Sequence, residues 1–382
     1  MTAEMRRPKV LMIIAKFHPV IGGTENQALL LCESLIKKGL DVEVLTRKVH
    51  GLPDYAYVRG VPVNRAIKVI DRGKLFGVTY FLSCLYFLFV HRRKFDIVHC
   101  HILHGFHSMA AVLMQRFFGK HVVIKVASSG VLSDFIMLQR SLLGSYLVRS
   151  LRGADRLVAL CSQAVAEART QGFSEDRIVV IPNGVDASRF RPVLSREQPR
   201  KRIVYAGSLT ATKGVDVLID AFAGLRQHHA LLRLDIFGDG PLRKSLQAKA
   251  AQLGLSEEIR FQGAVTGIER HLDSSCVFVQ PSLVEGMSNV ILEAMSAGLP
   301  VIATRVGAAP DIINDGVSGL LVDSGKPDQI RDAIVRIVSD DAFAQRIGRT
   351  ARSVIETHYA IETVADRYRA LYNDVMDETH GS

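Results

Sequence analysis

Two kinds of segment alternate along this chain. Short unbroken apolar runs read as buried strands, and longer stretches with apolar residues three and four apart read as helices. In the first half, "KVLMIIA" (9–15), "DVEVLT" (41–46), "DIVHCH" (96–101), "HVVIKVA" (121–127) and "RLVALC" (156–161) are predicted strands. Between the first two, "ENQALLLCESLIKKG" (25–39) has helical spacing and a glycine stop at Gly39. Around 181–202 the pattern breaks into "IPNGVDASRFRPVLSREQPRKR", with prolines, an Asn-Gly turn signal and clustered arginines. It then restarts. Predicted strands are 202–207, 232–238, 259–263, 276–281, 300–304 and 319–322, and predicted helices are 214–228, 241–253, 289–297, 327–338, 341–357 and 360–376.

Strand–helix alternation of this kind predicts parallel sheets covered by helices on both faces, in two doubly wound α/β domains. The predicted division is a first domain at 1–182, a linker at 183–200, a second domain at 201–357 and a terminal helical segment at 358–382, expected to pack back toward the first domain. Ligands of open α/β sheets sit beyond the carboxyl ends of the strands, so the chemistry is expected in loops just after strands, in a cleft between the domains.

Composition narrows this little. The 382 residues are 48% hydrophobic and 23% charged, ordinary for a globular chain with sizeable cores. Five scattered cysteines without a C-x-x-C pair argue against a disulfide framework or zinc ribbon and fit a reducing cytosol. "VLMIIA" is too short for a signal-peptide core and reads as the first strand. Charge matters more. Residues 1–182 carry 25 Lys+Arg against 13 Asp+Glu, whereas 183–382 carry 23 against 25. The basic half is expected to seek an anionic surface or a phosphorylated substrate.

The loops after strands hold the candidate residues. Gly22 and Gly23, followed by a possible Thr24 cap, let backbone approach a phosphate at a helix start, although "GGTE" is not a dinucleotide fingerprint. Lys213, in "GSLTATKGVDVLIDAF", puts a cation at a helix N-terminus, unfavourable unless an anion joins the two. "FGDGPLRKSL" lacks the third glycine of the dinucleotide motif and reads as a structural turn. His99, His101, His104 and His107 crowd "HCHILHGFH" without a completing acidic ligand, so no metal is expected, and His101 is the one placed to reach the cleft. In "SLVEGMSNVILEAMSAGLPVIA", Ser288 or Asn289 is the predicted N-cap, with Glu285 at the helix mouth and Glu293 within its first turns. A buried carboxylate needs a partner, and a ribose 2′,3′-diol would satisfy both oxygens. Gly286, Met287 and Ser288 would offer backbone donors to sugar hydroxyls or phosphate.

These motifs, taken in order with "HPVIGGTE", "IPNGVD" and "DGVSGLLV", resemble the retaining glycosyltransferases of the GT-B fold, family 4, whose E-x7-E motif matches "EGMSNVILE". The resemblance implies that Glu293 holds the ribose of a nucleoside-diphosphate sugar and Glu285 the donor sugar, with main chain at Gly286, Met287, Ser288 and Asn289. It implies that Lys213 binds the diphosphate with Gly22 and Gly23 opposite, that His101 meets the donor sugar, and that the base lies near Gly263 to Val265. Many relatives carry an arginine where this chain has Ser208, which leaves the diphosphate clamp one cation short; Lys125 is a candidate substitute. With no D-x-D in the chain, the expected reaction is a metal-independent, retaining hexosyl transfer that uses no cofactor.

Residues 76–90, "FGVTYFLSCLYFLFV", followed by "HRRK", read either as a buried core helix or as a helix in a membrane interface with Arg92, Arg93 and Lys94 on headgroups. The second reading suggests a lipid-linked or growing-glycan acceptor in polysaccharide biosynthesis, met in the cytoplasm or at the inner face of the plasma membrane. A sugar-nucleotide epimerase of the same fold and a non-catalytic binder of anionic surfaces are the alternatives. No nucleic-acid motif is present.

Overall fold

A computed structural model describes residues 7–19, 22–73, 75–130, 133–140, 144–190, 201–226 and 229–378. The chain divides into two compact units, Met1–Gly184 with Ile361–Ser382, and Val185–Ala360.

The first unit is built on an eight-stranded sheet. Its strands are β1 (Lys9–Ile13), β2 (Asp41–Arg47), β3 (Tyr55–Val58), β4 (Val61–Ile67), β5 (Ile97–Cys100), β6 (His121–Lys125), β7 (Arg156–Ala159) and β8 (Ile178–Val180), in the order β3-β4-β2-β1-β5-β6-β7-β8. All neighbours are parallel except β3 and β4, a hairpin with Val58 opposite Val61. The central strands β5 and β6 are buried at every position, as expected of a parallel sheet covered on both faces. Strand β1 is flanked by β2 and β5, with Val10 opposite both Val42 and Ile97. The crossover helices are α1 (Gly23–Lys37), α2 (Leu75–Val90), α3 (Phe106–Phe118), α4 (Asp134–Gln139), α5 (Gly144–Leu151) and α6 (Ser162–Thr170).

The second unit carries a six-stranded, all-parallel sheet of β9 (Arg202–Ala206), β10 (Arg233–Phe237), β11 (Ile259–Gly263), β12 (Val277–Gln280), β13 (Val301–Thr304) and β14 (Leu320–Val322). Its order is β11-β10-β9-β12-β13-β14. The chain winds outward one way from β9 and the other way from β12, so the loops leaving these adjacent strands diverge and open a crevice. Helices α7 (Val215–Ala223), α8 (Arg243–Gln252), α9 (Glu269–Leu272), α10 (Asn289–Ser296), α11 (Ala309–Ile312), α12 (Pro327–Ser339) and α13 (Asp341–Val354) complete it. Its core joins sheet residues such as Ile203, Tyr205 and Val279 to Leu218 and Phe222 of α7 and Ile334 of α12. After α13, a π-helical turn at Ile355–Tyr359 leads into α14 (Ile361–Asp377), whose Val364, Ala365, Tyr368 and Tyr372 enter the first unit's core beside Leu31 and Leu35 of α1.

Several boundaries differ from those the sequence predicts. Within the expected linker, Val185 pairs with Ala360 and donates its N–H to the Tyr359 carbonyl at 2.9 Å, and Phe190 is buried, so residues 185–190 belong to the second unit. Residues 191–200 lie outside the described residues. The second unit ends at Ala360, because the π turn still belongs to it. Helix α1 starts at Gly23 with Gly22 as its cap, which places Thr24 inside the helix. Residues 76–90 form a helix that is only half a core helix. Tyr80, Cys84, Phe87 and Leu88 are buried, whereas Val78, Leu82, Tyr86, Phe89 and Val90 are exposed.

Candidate functional site

In the second unit Lys213 and Glu285 meet at the crevice between β9 and β12. After β9 the chain passes Ser208, which is exposed, and closes a short 3-10 turn at Ala211–Lys213 before α7. After β12 it runs through Ser282 to Glu285 and then into α10, whose cap residue is Ser288. The Lys213 ammonium donates to Glu285 Oε2 at 2.6 Å, and Ser282 Oγ donates to the same oxygen at 3.2 Å. Both partners of the ion pair keep some exposure, 22% and 14% of their side chains, so the pair is accessible from the crevice.

The loop carrying Glu285 is held from both sides by backbone. Leu283 and Val284 donate their N–H groups to the Thr212 carbonyl at 2.8 and 3.1 Å, and Ala308 N–H donates to the Gly286 carbonyl at 2.8 Å. These approaches need glycine. Gly214 has φ +61°, and a Cβ there would lie 2.2 Å from the Pro281 carbonyl oxygen. Gly307 has φ +58°, and a Cβ there would lie 2.3 Å from the Gly286 carbonyl oxygen. Below the loop, Gln280 Nε2 donates to Ser282 Oγ at 2.7 Å, and Thr304 Oγ1 donates to the Ser282 carbonyl at 2.6 Å. The sequence alone does not single out Gln280, Ser282, Thr304 or Gly307. Gln280 acts on Ser282 two positions on, and Thr304 and Gly307 reach back to Ser282 and Gly286 from the end of the next strand, contacts that only the folded loop reveals.

Glu293 is the fifth residue of α10. It keeps a partly exposed face, but protein surrounds most of its carboxyl, and this loss of water raises its pKa to about 7; Arg189 opposes the rise and Glu269 adds to it. Arg189, in the 3-10 turn Ala187–Arg189, pairs with Glu269 of α9 at 2.9 Å. Neither residue stands out in the sequence. Gly286 is partly exposed, Met287 and Ser288 are buried, and Asn289 opens α10. At the predicted base position, Gly263 has φ +79° and accepts the Gly238 N–H at 2.7 Å.

In the first unit, His101 lies just past β5 and is fully buried. Its Nε2 is 3.5 Å from the Lys125 ammonium, and its Nδ1 has no hydrogen-bond partner among the described residues. Burial, followed by the Lys125 charge, holds its pKa well below the usual histidine value, so the ring is neutral. Lys125 donates to Asn183 Oδ1 at 2.8 Å, and burial pulls its pKa down to about 7. The lysine considered as a substitute for a missing arginine is thus buried, held by partners of its own and only fractionally charged at neutral pH. His99 pairs through Nδ1 with the Tyr372 hydroxyl of α14 at 2.6 Å, His104 with Asp134 at 3.1 Å, and His107 with Tyr80 at 3.2 Å. Gly22 caps α1 in an extended conformation, with Gly23 the first helical residue.

An open parallel sheet whose switch point presents a cation and a carboxylate, in a chain that holds a second doubly wound unit, defines the Rossmann-like doubly wound α/β class. Family models then divide the chain between them: the Glycosyltransferase Family 4 model matches residues 21–189 and the Glycosyl transferases group 1 model matches residues 200–340. An uncharacterized glycosyltransferase of Methanocaldococcus jannaschii is 28% identical over 97% of this chain and 99% of its own. A human phosphatidylinositol N-acetylglucosaminyltransferase subunit is 27% identical over 99% of this chain and 78% of its own. The crystal structure of Anabaena HepE in complex with UDP matches with a TM-score of 0.77 at 18% identity, covering 96% of this chain and all of that one, and shows the shared GT-B fold. The chain belongs to the group 1, family 4 glycosyltransferases.

Proposed function

We propose that this glycosyltransferase moves a hexosyl group from a nucleoside-diphosphate sugar to an acceptor hydroxyl with retention of anomeric configuration and without a metal. The observation that carries this reading is the Lys213–Glu285 pair at the β9/β12 crevice, with Glu293 eight residues beyond Glu285 on the helix that follows. A diphosphate entering the crevice takes the Lys213 ammonium as its partner and frees Glu285 to accept hydrogen bonds from hydroxyls of the donor sugar. Glu293, in carboxylate form, accepts both hydroxyls of the ribose, and the main chain at Gly286, Met287, Ser288 and Asn289 supports donor binding. HepE, the solved structure with UDP, supports a nucleotide donor.

The anomeric carbon–oxygen bond to the diphosphate breaks, and charge grows on the leaving phosphate beside Lys213, where a fixed cation stabilises it without reorganising. The acceptor oxygen bonds to the anomeric carbon from the same face and passes its proton to the departing phosphate oxygen. From the first unit we assign Gly22 and Gly23 to the donor, with Ser208 lining the exposed turn before Lys213; His101, expected from the sequence to meet the donor sugar, is fully buried and takes no contact in this reading. The acceptor is a lipid-linked or growing glycan, met at the cytoplasmic face of a membrane; the human relative, by its name, acts on phosphatidylinositol.

The test is a panel of UDP-, GDP- and ADP-sugars offered to the wild type and to Glu293→Ala, first without acceptor and then with lipid-linked acceptors. One donor that binds the wild type and not the variant, with an unchanged anomeric configuration in the product and full activity in EDTA, is the expected result. A product of inverted configuration overturns the mechanism. Epimerised donor in the absence of any acceptor overturns the transferase step.

A further inference from the structure

Helices α2 and α3 pack against each other in the first unit and leave an open groove of about 450 Å³, lined by Leu82, Leu85, Tyr86 and Phe89 of α2 and by Leu113, Met114, Phe117 and Phe118 of α3. The lining is almost wholly apolar. Along α2 the exposed apolar residues Leu75, Val78, Leu82, Tyr86, Phe89 and Val90 follow three- and four-residue spacing, so one whole stripe of the helix faces solvent. Tyr86 is 71% exposed and Phe117 68%. Contiguous exposed apolar surface on this scale marks an interaction site.

The charge around the groove names the partner. Between residues 72 and 120 there are seven Lys+Arg and a single acid, Asp96. Arg92 caps the end of α2 by donating to the Phe89 carbonyl at 2.8 Å, and its guanidinium lies over the rings of Phe89 (4.5 Å) and Phe118 (5.6 Å). Arg93 and Lys94 follow it, and Arg116 stands in the last turn of α3. An apolar face with a cationic border suits a layer that is apolar inside and anionic at its surface. A two-fold pairing with a second copy would bring these cationic borders together without acids to match them. The helix is also too short to cross. Its sixteen residues extend about 24 Å against a hydrocarbon core of about 30 Å, and none of the described helices is long and apolar enough to span a bilayer.

We infer that the α2–α3 face is a membrane-docking surface, which lays the α2 stripe into the interface of an anionic lipid bilayer with Arg92, Arg93, Lys94 and Arg116 on the headgroups. The inference builds on the reading of a lipid-linked acceptor but is measured by binding alone, so a failed docking test and a failed activity test are separate results.

Because the chain contains no tryptophan, Tyr86→Trp provides a single fluorescent reporter at an exposed position, and Tyr57→Trp on the exposed β3–β4 hairpin provides its control. The full chain is mixed with phosphatidylcholine vesicles, with or without about 30% phosphatidylglycerol, an anionic lipid. The expected result is a blue shift of the residue-86 reporter with anionic vesicles only and none from the residue-57 reporter. Flotation with the same anionic vesicles should fall at least tenfold for Tyr86→Glu/Phe117→Glu and for Arg93→Glu/Lys94→Glu, with unchanged circular dichroism. An unshifted residue-86 reporter overturns the inference. So does flotation that the Tyr86→Glu/Phe117→Glu pair leaves intact, which would reduce the contact to diffuse charge attraction. Self-association lost in that pair, without vesicle binding by the wild type, would assign the face to a second copy.

Discussion

Lys213 and Glu285 meet at 2.6 Å across the mouth of the crevice, although they stand 72 positions apart in the chain. One follows β9 and the other follows β12, strands that lie side by side in the sheet. The pair is a consequence of topology: reversing the direction of winding between these two strands is what brings their loops face to face.

Removing the cation tests this pair directly. Lys213→Ala should lower kcat/KM by about 100- to 1,000-fold, the cost of losing one fixed electrostatic partner of a developing charge. The melting temperature should move little, because a partly exposed ion pair contributes about 1 kcal/mol or less to stability. A variant retaining more than a tenth of the wild-type kcat/KM would remove Lys213 from the diphosphate.

Donor binding should depend on pH through Glu293. Its pKa is raised to about 7 by burial, and in the proposed donor complex only its carboxylate form would accept hydrogen bonds from both ribose hydroxyls. Affinity for the nucleotide should therefore rise as pH rises through about 7 and reach a plateau above it, while Glu293→Gln should bind at least tenfold more weakly at pH 8 and show no such step. The sign for the empty protein is opposite. A carboxyl whose folded pKa lies above its ordinary value of 4.5 binds more protons folded than unfolded, so stability falls as pH rises between about 4.5 and 7. Isothermal titration and thermal melts across this range check both halves.

Gly214→Ala should damage the site from within the backbone. The residue sits at φ +61° against the Pro281 carbonyl, so a methyl group meets both a disfavoured conformation and an occupied space. A loss of about 1–3 kcal/mol in denaturant unfolding is expected, with a larger fractional loss of activity than of stability, since the displaced loop carries Glu285. Gly60→Ala, at φ +82° with nothing within 4 Å of the added carbon, separates the cost of φ from the cost of contact.

Lys125→Met should raise stability at neutral pH. Burial depresses the folded pKa of this lysine to about 7, against 10.5 for the free group. Between those values the unfolded chain binds more protons, so wild-type stability climbs with pH, and below about 7 the full cost of burying a charge is present. The methionine variant escapes that cost. Its advantage in melting temperature should be largest at pH 6–7 and should vanish or reverse near pH 10, where only the lost hydrogen bond to Asn183 remains. An advantage independent of pH would mean that the amine carries the same charge folded and unfolded, so that burial does not depress its pKa.

The two sheets were legible because parallel strands buried on both faces leave unbroken apolar runs, as in "VLMIIA" and "PVIA". The hairpin of β3 and β4 was not, since Arg59 takes the left-handed turn position, φ 50°, that sequence rules reserve for glycine or asparagine. Its alternating second strand, "VPVNRAI", was the available signal. At the site, Lys213, Glu285 and Glu293 stood out because charge in apolar or helix-start contexts is costly. Ser282, Thr304 and Arg189 were invisible for the converse reason: nothing in the sequence distinguishes a serine, threonine or arginine whose importance lies in a contact that only the fold makes. The half-exposed character of α2 was equally hidden, because a helix apolar all round has no periodicity to show which face is covered.

The return of α14 to the first unit sets an order of events during synthesis. Tyr368 and Tyr372 fill the core beside α1, and Tyr372 supplies the hydroxyl that pairs with His99 Nδ1. The second unit is continuous in the chain and can close as soon as residue 360 has left the ribosome. The first unit, translated earlier, must wait with an unfilled slot along α1 until the last helix emerges. A ribosome stalled or terminated near residue 360 would therefore release a chain whose later half is folded and whose earlier half is not, the reverse of the usual vectorial sequence.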